Sequence, residues 1–320
     1  MATSGTRVLT RTRDEIIHGA YRLLGLEKPG GTVPHPEMMN WGADALNEMI
    51  LAWQSDGLGL WLDSDATLYM QKGTASYDIG PSGDHCTLSA VETTVDGAVD
   101  SGESAIDVDS ITGISNEDYI GVELDSGSFQ FTTVNGTPSG STITLTDALT
   151  DDVNDAAFVF AYTNKVARPL EIGDIRYVQP DDTELQLGDP ISRNEYMGFA
   201  DKTSTGSPHK VYYHPVLTNG KIYVWQPPDD VEKRLKFTVK LPIEVFTAST
   251  DNPAFPQEWY EPLRYSLAER LGLEHYELIN PRRLVHIKED AIQYREKAFG
   301  RDTEKTSYQF VSIYGFEGYD

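Results

Sequence analysis

The 320 residues carry 50 acidic side chains against 26 basic ones, a formal net charge of −24, with 39% hydrophobic and 10% aromatic residues. At roughly 150 residues per domain the length suggests about two domains, and the apolar content excludes global disorder. The charge excludes general affinity for a nucleic-acid backbone, which needs cations that release counterions. No apolar run approaches the ~20 residues of a membrane span, so no membrane association is expected.

The N-terminal MATSGTRVLTRTRDE has no apolar signal region. Cys86 is the one cysteine, which precludes an internal disulfide and fits synthesis in a reducing cytoplasm. Thr12-x-x-Glu15 matches a capping box and opens a first helix with Ile16, Ala20, Leu23 and Leu24 on its apolar face. Lys28-Pro29-Gly30-Gly31 ends it. A second helix spans 34–56, with Pro36 suited to a first helical position and Met39, Ala43, Leu46, Ile50 and Trp53 at helical spacing. These two helices are expected to pair. Leu68 and Met70, then Tyr77 and Ile79, alternate across Lys72-Gly73 and suggest a hairpin.

The composition then changes. Residues 73–164 contain no Lys or Arg and sixteen Asp and Glu. Short alternating runs follow: Ile106 and Val108; Ile120, Val122 and Leu124; Phe129 and Phe131; Ile143 and Leu145; Phe158, Phe160 and Tyr162. Asp125-Ser126-Gly127, Asn135-Gly136 and Pro138-Ser139-Gly140 separate some of them as turns. Residues 82–163 therefore read as an inserted all-β module, sandwich or barrel-like.

Basic residues return with Lys165 and Arg168. Residues 172–179 read as a strand and Ser192–Tyr196 as a helical turn. Asn219-Gly220 between alternating apolar residues is a strong hairpin signal, and Leu235, Phe237, Val239 and Leu241 make a further strand. Helices resume with Trp259, Leu263, Leu267 and Leu271 on one face. Asn280-Pro281 caps the last helix and Gly300 stops it. The expected fold class is α+β: a helical bundle with a β platform, the inserted β module, and an extended C-terminal arm. The parent domain would be 1–81 with 164–304, the insert 82–163 and the arm 305–320. Leu46, Ile50, Trp53, Trp259, Leu263 and Leu267 are the expected helical packing residues.

In the arm, Tyr308, Phe310, Tyr314 and Phe316 occupy even positions and Val311 and Ile313 odd ones. An extended segment with two apolar faces reads either as a last strand of the parent sheet or as an arm that docks on a partner; Gly315, Gly318 and the polar RDTEKTS run before it favour the arm.

Catalytic patterns are missing from the sequence. It has no P-loop, GxSxG, HExxH or paired CxxC. His209, His214, His275 and His286 lie apart from any ligand spacing. Asp107, Asp109, Glu117, Asp118, Asp151, Asp152 and Asp155 crowd the insert without EF-hand spacing. No enzyme activity, cofactor or metal is expected. A carbohydrate- or surface-binding module is one rival reading, and a cell-wall glycan hydrolase another; the absence of Trp from the insert weighs against both.

The ordered phrases RDEIIHGAYRLLG, ALNEMILAWQSDGLGLWL, ATLYMQKGTASYDIG, ISRNEYM, GSPHKVYYHP, GKIYVWQPP and DNPAFPQEWYEPLRYSLAERL together resemble the head-to-tail adaptor proteins of short-tailed bacteriophages, also called packaged-DNA stabilisation or head-completion proteins. The likeness covers roughly 10–80 and 165–275. It implies a virion protein at the head–tail interface, made in the host cytoplasm, that forms a homo-dodecameric ring beneath the portal protein. Such a ring extends or closes the channel, lets packaged double-stranded DNA pass without specific binding, and offers a platform to a tail nozzle or tail tube protein. It also implies that the C-terminal arm docks on the portal, here through Tyr308, Phe310, Val311, Ile313, Tyr314 and Phe316.

Overall fold

The computed structural model describes residues 9–29, 34–56, 62–232 and 234–300. The described residues of 1–60 and 243–320 form one compact unit and those of 61–242 another. In chain order the helices are α1 (Arg13–Leu24), α2 (Pro36–Ser55), α3 (Arg193–Gly198), α4 (Tyr260–Glu274) and α5 (Pro281–Phe299). The strands are β1 (Asp63–Tyr69), β2 (Ser76–Ile79), β3 (Cys86–Thr87), β4 (Val91–Thr94), β5 (Ala105–Asp107), β6 (Tyr119–Glu123) and β7 (Phe129–Thr133). They continue with β8 (Thr142–Thr144), β9 (Phe158–Tyr162), β10 (Glu171–Val178), β11 (Glu184–Gly188), β12 (Lys210–His214), β13 (Gly220–Trp225) and β14 (Arg234–Lys240).

The expected α+β class, a helical bundle with a β platform, is corrected here. The described chain is mostly β, with four sheets of antiparallel strands and five helices. The expectation gave the helices too much weight. They are confined to the two ends of the chain apart from the six-residue α3, while 62–242 is strand, turn and loop.

In the helical unit the Thr12 side chain accepts the Glu15 N–H and the Glu15 carboxylate accepts the Thr12 N–H, closing the capping box at α1. Helix α4 packs on α1, α2 and α5. It is therefore apolar on several sides rather than along one stripe, and Leu263, Leu267, Ala268 and Leu271 are all fully buried. Helix α2 runs antiparallel to it: Trp41 meets His275 at one end and Trp53 meets Trp259 at the other, with ring centroids 5.8 Å apart in each pair. Gly272 lets α5 approach closely, since a Cβ there would lie 2.4 Å from Leu284 Cδ1. Asn47 ties the returning chain to α2 by accepting the Phe246 N–H at 2.9 Å and donating to its carbonyl at 3.0 Å.

In the second unit a five-stranded sheet runs β11-β10-β14-β1-β3 and a three-stranded sheet β12-β13-β2. They share one core, with Ala66, Leu68, Leu235 and Phe237 from the first and Tyr77, Ile79, Ile222 and Val224 from the second. Burial pushes the Cys86 thiol pKa up in this core. The expected Leu68–Ile79 hairpin is absent: β1 pairs with β14 and β3, whereas β2 pairs with β13. The turn is real, but it is a corner between sheets. The Tyr77 hydroxyl fixes it by accepting the Gln71 N–H at 3.1 Å and lying 3.0 Å from the Gln71 and Thr74 carbonyls.

The strands between 91 and 162 form a four-stranded sheet, β4-β9-β6-β7, and a two-stranded sheet, β5-β8. Their core is aliphatic and includes Ile106, Val108, Ile120, Val122, Ile143, Leu145, Val159 and Ala161. The alternating residues of the larger sheet are aromatic. Phe129 and Phe131 of β7 and Phe158, Phe160 and Tyr162 of β9 gather around Tyr69 of β1. The four-stranded sheet is thus covered on both faces. Gly121 makes this packing possible: it pairs with Phe131 on one side and Phe160 on the other, and a Cβ there would sit 2.3 Å from Phe160 Cε1.

Candidate functional site

Two regions gather side chains whose arrangement exceeds what a simple core requires. The first is the aromatic seam inside the β unit. Tyr69 lies flat on Phe160, and His85 lies on Phe131 with centroids 3.7 Å apart. The His85 Nδ1 is 2.9 Å from the Tyr162 hydroxyl. Burial, with Lys165 adding to it, lowers the His85 pKa to about 4. Burial and the neighbouring Glu92 push the Tyr69 phenol well up. The Tyr69 hydroxyl donates to Glu92 at 2.6 Å, and Glu92 accepts Arg234 Nη1 at 2.9 Å. Arg234 also pairs with Asp182 and lies over the Phe158 ring. Gln71 acts as a piece of strand: its amide accepts the Phe129 N–H at 2.8 Å and donates to the Phe129 carbonyl at 2.9 Å. These contacts weld the sheet of β4, β6, β7 and β9 onto β1 and β14. Most of their polar groups are spent on one another, the buried Arg234 Nε being left without a hydrogen-bond partner, and the seam is a structural joint.

The acidic side chains of the 82–163 segment mostly staple its loops. Asp109 accepts from Thr94, Asp107 from Thr142, Asp155 from the Gly97 N–H, Asp152 from the Ser101 N–H and Asp118 from the Ser115 N–H. Asp151 accepts the Asp152 N–H. Glu117 occupies the left-handed backbone region with φ 68°. Asp118, Asp151, Asp152 and Asp155 thereby satisfy backbone donors that the short strands leave over, and Asp107 and Asp109 hold threonine hydroxyls. Among the described residues no group of three or more His, Cys, Asp or Glu is placed to hold a metal ion. No helix among them is long and apolar enough to cross a membrane.

The second region is the surface of the helical unit. Leu46, Ile50, Trp53, Trp259, Leu263 and Leu267 are buried within it. Trp41, at 50% exposure, stacks on His275, and Leu273, Tyr276 and Leu278 of the α4 end and its following turn are more than half exposed. Val285 and Ile292, seven apart on α5, are also exposed. The Trp41–His275 stack brings Trp41 beside the exposed 273–278 stretch, the kind of apolar surface that another chain can cover. More polar is the groove between α1, α4 and α5, about 610 Å³, where Arg11, Arg22, Arg264 and Arg283 meet Glu15, Glu261 and Asp290. The arm residues Tyr308, Phe310, Val311, Ile313, Tyr314 and Phe316 lie outside the described residues.

Sequence reasoning missed the seam and the groove. Arg234 and Glu92 are 142 positions apart and carry no local signal. One signal was present in Phe158-Val159-Phe160-Ala161-Tyr162, an unbroken apolar run, which marks a strand buried on both faces.

No family model and no curated protein matches the chain. Solved structures with a partial likeness include the Gp54 tailspike of Acinetobacter baumannii bacteriophage AP22, in complex with A. baumannii capsular saccharide, at 17% identity and a TM-score of 0.22 over 25% of this chain and 16% of that one. Another is VP17, a capsid protein of bacteriophage P23-77, at 12% identity and a TM-score of 0.12 over 60% of this chain and 74% of that one. The chain thus spans 16% of the tailspike's length. Both neighbours are bacteriophage structural proteins; likenesses this small carry no argument about fold or activity.

Proposed function

We propose that the chain is a structural virion protein, a head-to-tail adaptor that assembles as a homo-dodecameric ring beneath a phage portal and gives the tail its attachment platform. It acts without enzymatic chemistry. What supports the reading is the ordered set of sequence phrases shared with that family, together with the apolar surface of the helical unit. Trp41, Leu273, Tyr276, Leu278, Val285 and Ile292 cost solubility when left in water, and subunit contacts in a ring would cover them. Residues 82–163 are read as an insertion in the β unit that decorates the ring. The acidic charge suits a channel wall along which DNA slides without adhering.

Twelve like-charged subunits repel one another, so a monomer in solution that forms its ring on the portal template is the expected state. The arm 305–320 is assigned the docking role. Its test is a pull-down with the portal encoded by the same genome, comparing the full chain with a truncation after residue 304. Loss of binding by a folded truncation supports the assignment; equal binding removes it.

A further inference from the structure

Among the described residues, β11 is the edge strand left open. The other edge strands are each covered by a local backbone bond. The Asp84 N–H donates to the Asp78 carbonyl beside β2, Val166 to Cys86 beside β3, Asp109 to Thr94 beside β4 and Thr146 to Thr133 beside β7. Likewise Asp96 donates to Asp107 beside β5, Asn135 to Thr144 beside β8 and Ile191 to Val211 beside β12. No backbone bond from a described residue reaches Glu184–Gly188 on the side away from β10. The Gln179 N–H donates to the Thr183 carbonyl at 3.0 Å, and β10 meets β11 in regular register from Val178–Glu184 to Arg176–Gln186. The antiparallel alternation therefore turns the backbone groups of Glu184 and Gln186 outward. Unpaired N–H and C=O groups along an edge are a template for another strand.

The side chains along this edge define what would fit. Leu187 packs on the core shared by the two sheets, and Leu185, on the same face, is 46% exposed. Residues 179–192 carry Asp181, Asp182, Glu184 and Asp189 and no Lys or Arg. Arg176 and Lys236 reach Glu184 at 3.5 and 3.2 Å, and Arg234 pairs with Asp182. Asp181 and Asp189, just beyond the two ends of β11, accept the Thr183 and Asp174 N–H groups and have no ion-pair partner among the described residues. We propose that β11 receives a strand from a partner chain, laid antiparallel along its open edge, with apolar side chains beside Leu185 and Leu187 and a basic residue at each end, beside Asp181 and Asp189. Backbone bonds supply the affinity, and the apolar alternation fixes the register. This docking edge is independent of the portal-binding role proposed above.

Fluorescence anisotropy of the full chain with the labelled peptide Lys-Thr-Val-Thr-Val-Thr-Lys tests this. In the proposed pairing its threonines lie opposite Glu184 and Gln186 and aim their amides at β11, while the valine amides face solvent. N-methylation of the central threonine should weaken binding about ten-fold or more, and N-methylation of both valines should leave it unchanged. Gln186→Pro removes an outward N–H without touching the ladder to β10. It should abolish binding, while Gln186→Ala keeps it. A thermal melt shows whether Gln186→Pro is folded; if it is not, the two methylated peptides decide. No binding at the solubility limit of the peptide, equal loss for the two methylated peptides, or full binding by a folded Gln186→Pro would overturn the strand addition. A peptide with glutamate in place of both lysines should bind more weakly, and equal binding would overturn the basic ends. Self-association of the chain that Gln186→Pro abolishes, with no peptide bound by the monomer, would give the edge to a second copy and overturn the choice of partner.

Discussion

Tyr69 and Phe160 lie ring on ring, their centroids 3.5 Å apart and their planes 6° from parallel. One belongs to the five-stranded sheet and the other to the four-stranded sheet, so a single contact links two layers that the sequence separates by an abrupt change of composition. Phe160 is fully buried. Phe160→Ala should destabilise the β unit by about 3–5 kcal/mol. Urea unfolding followed at that unit checks this. A joint with a continuous core should unfold 62–242 in one transition, and a separate transition for 82–163 would show that the seam does not couple them.

Gly121 provides a sharper probe of the same joint. Gly121→Ala places a methyl group 2.3 Å from Phe160 Cε1, and Phe160 is walled in by Tyr69. We expect a loss of about 1–3 kcal/mol from overpacking, measured by the shift in urea midpoint. Pairing Gly121→Ala with Phe160→Leu should recover part of that loss.

Arg234 has a side chain only 4% exposed and bonds to two carboxylates, Glu92 and Asp182. Glu92 and Asp182 keep 35% and 78% of their side-chain surface in water, so removing the arginine strands no fully buried charge. Arg234→Met should therefore cost about 1–3 kcal/mol, mainly through the lost charge-assisted hydrogen bonds. Because Glu92 also accepts from Tyr69, a double-mutant cycle between Arg234→Met and Glu92→Gln should give a coupling of about 1 kcal/mol or more. Additive effects would show that the pair is not coupled.

His85 makes the seam sensitive to acid. Its pKa is lowered from 6.5 to about 4, chiefly by burial, so the folded state holds the ring neutral where the unfolded chain would protonate it. The unfolded state then binds more protons between these values, and stability rises with pH through that window. The contribution is complete above about 6.5 and is lost as pH falls toward 4. The size is on the order of 3 kcal/mol. His85→Phe should flatten the pH dependence of the urea midpoint between pH 4 and about 6.5; an unchanged slope would show that other groups carry it.

Local patterns were legible in the sequence, and long-range pairings were not. The Thr12–Glu15 capping box and the Asn280 cap each depend on a few adjacent residues and are found at those residues; Asn219-Gly220 does mark a hairpin, but its connection runs over 215–219 and Gly220 already opens β13. The strands at Ile120, Phe129, Phe158 and Leu235 followed from alternation. The Lys72-Gly73 turn was visible, but whether it makes a hairpin or a corner depends on which distant strand bonds to each arm, and alternation is the same in both cases. Strand β3 is two residues long, and β11 has largely exposed side chains; neither leaves an apolar pattern to find. Counting helices rather than weighing the length of chain between them produced the error in fold class. For the surfaces, Trp41 and Leu278 look like core residues in sequence, and only packing shows that they are exposed.

Electron microscopy of the chain mixed with its cognate portal tests the adaptor assignment most directly. The account requires twelve copies in a ring beneath the portal, with residues 305–320 in contact with portal subunits and the helical surface around Trp41 and Leu278 covered by neighbours. Portal particles that remain bare at saturating protein, or copies bound with the arm turned away from the portal, would contradict it.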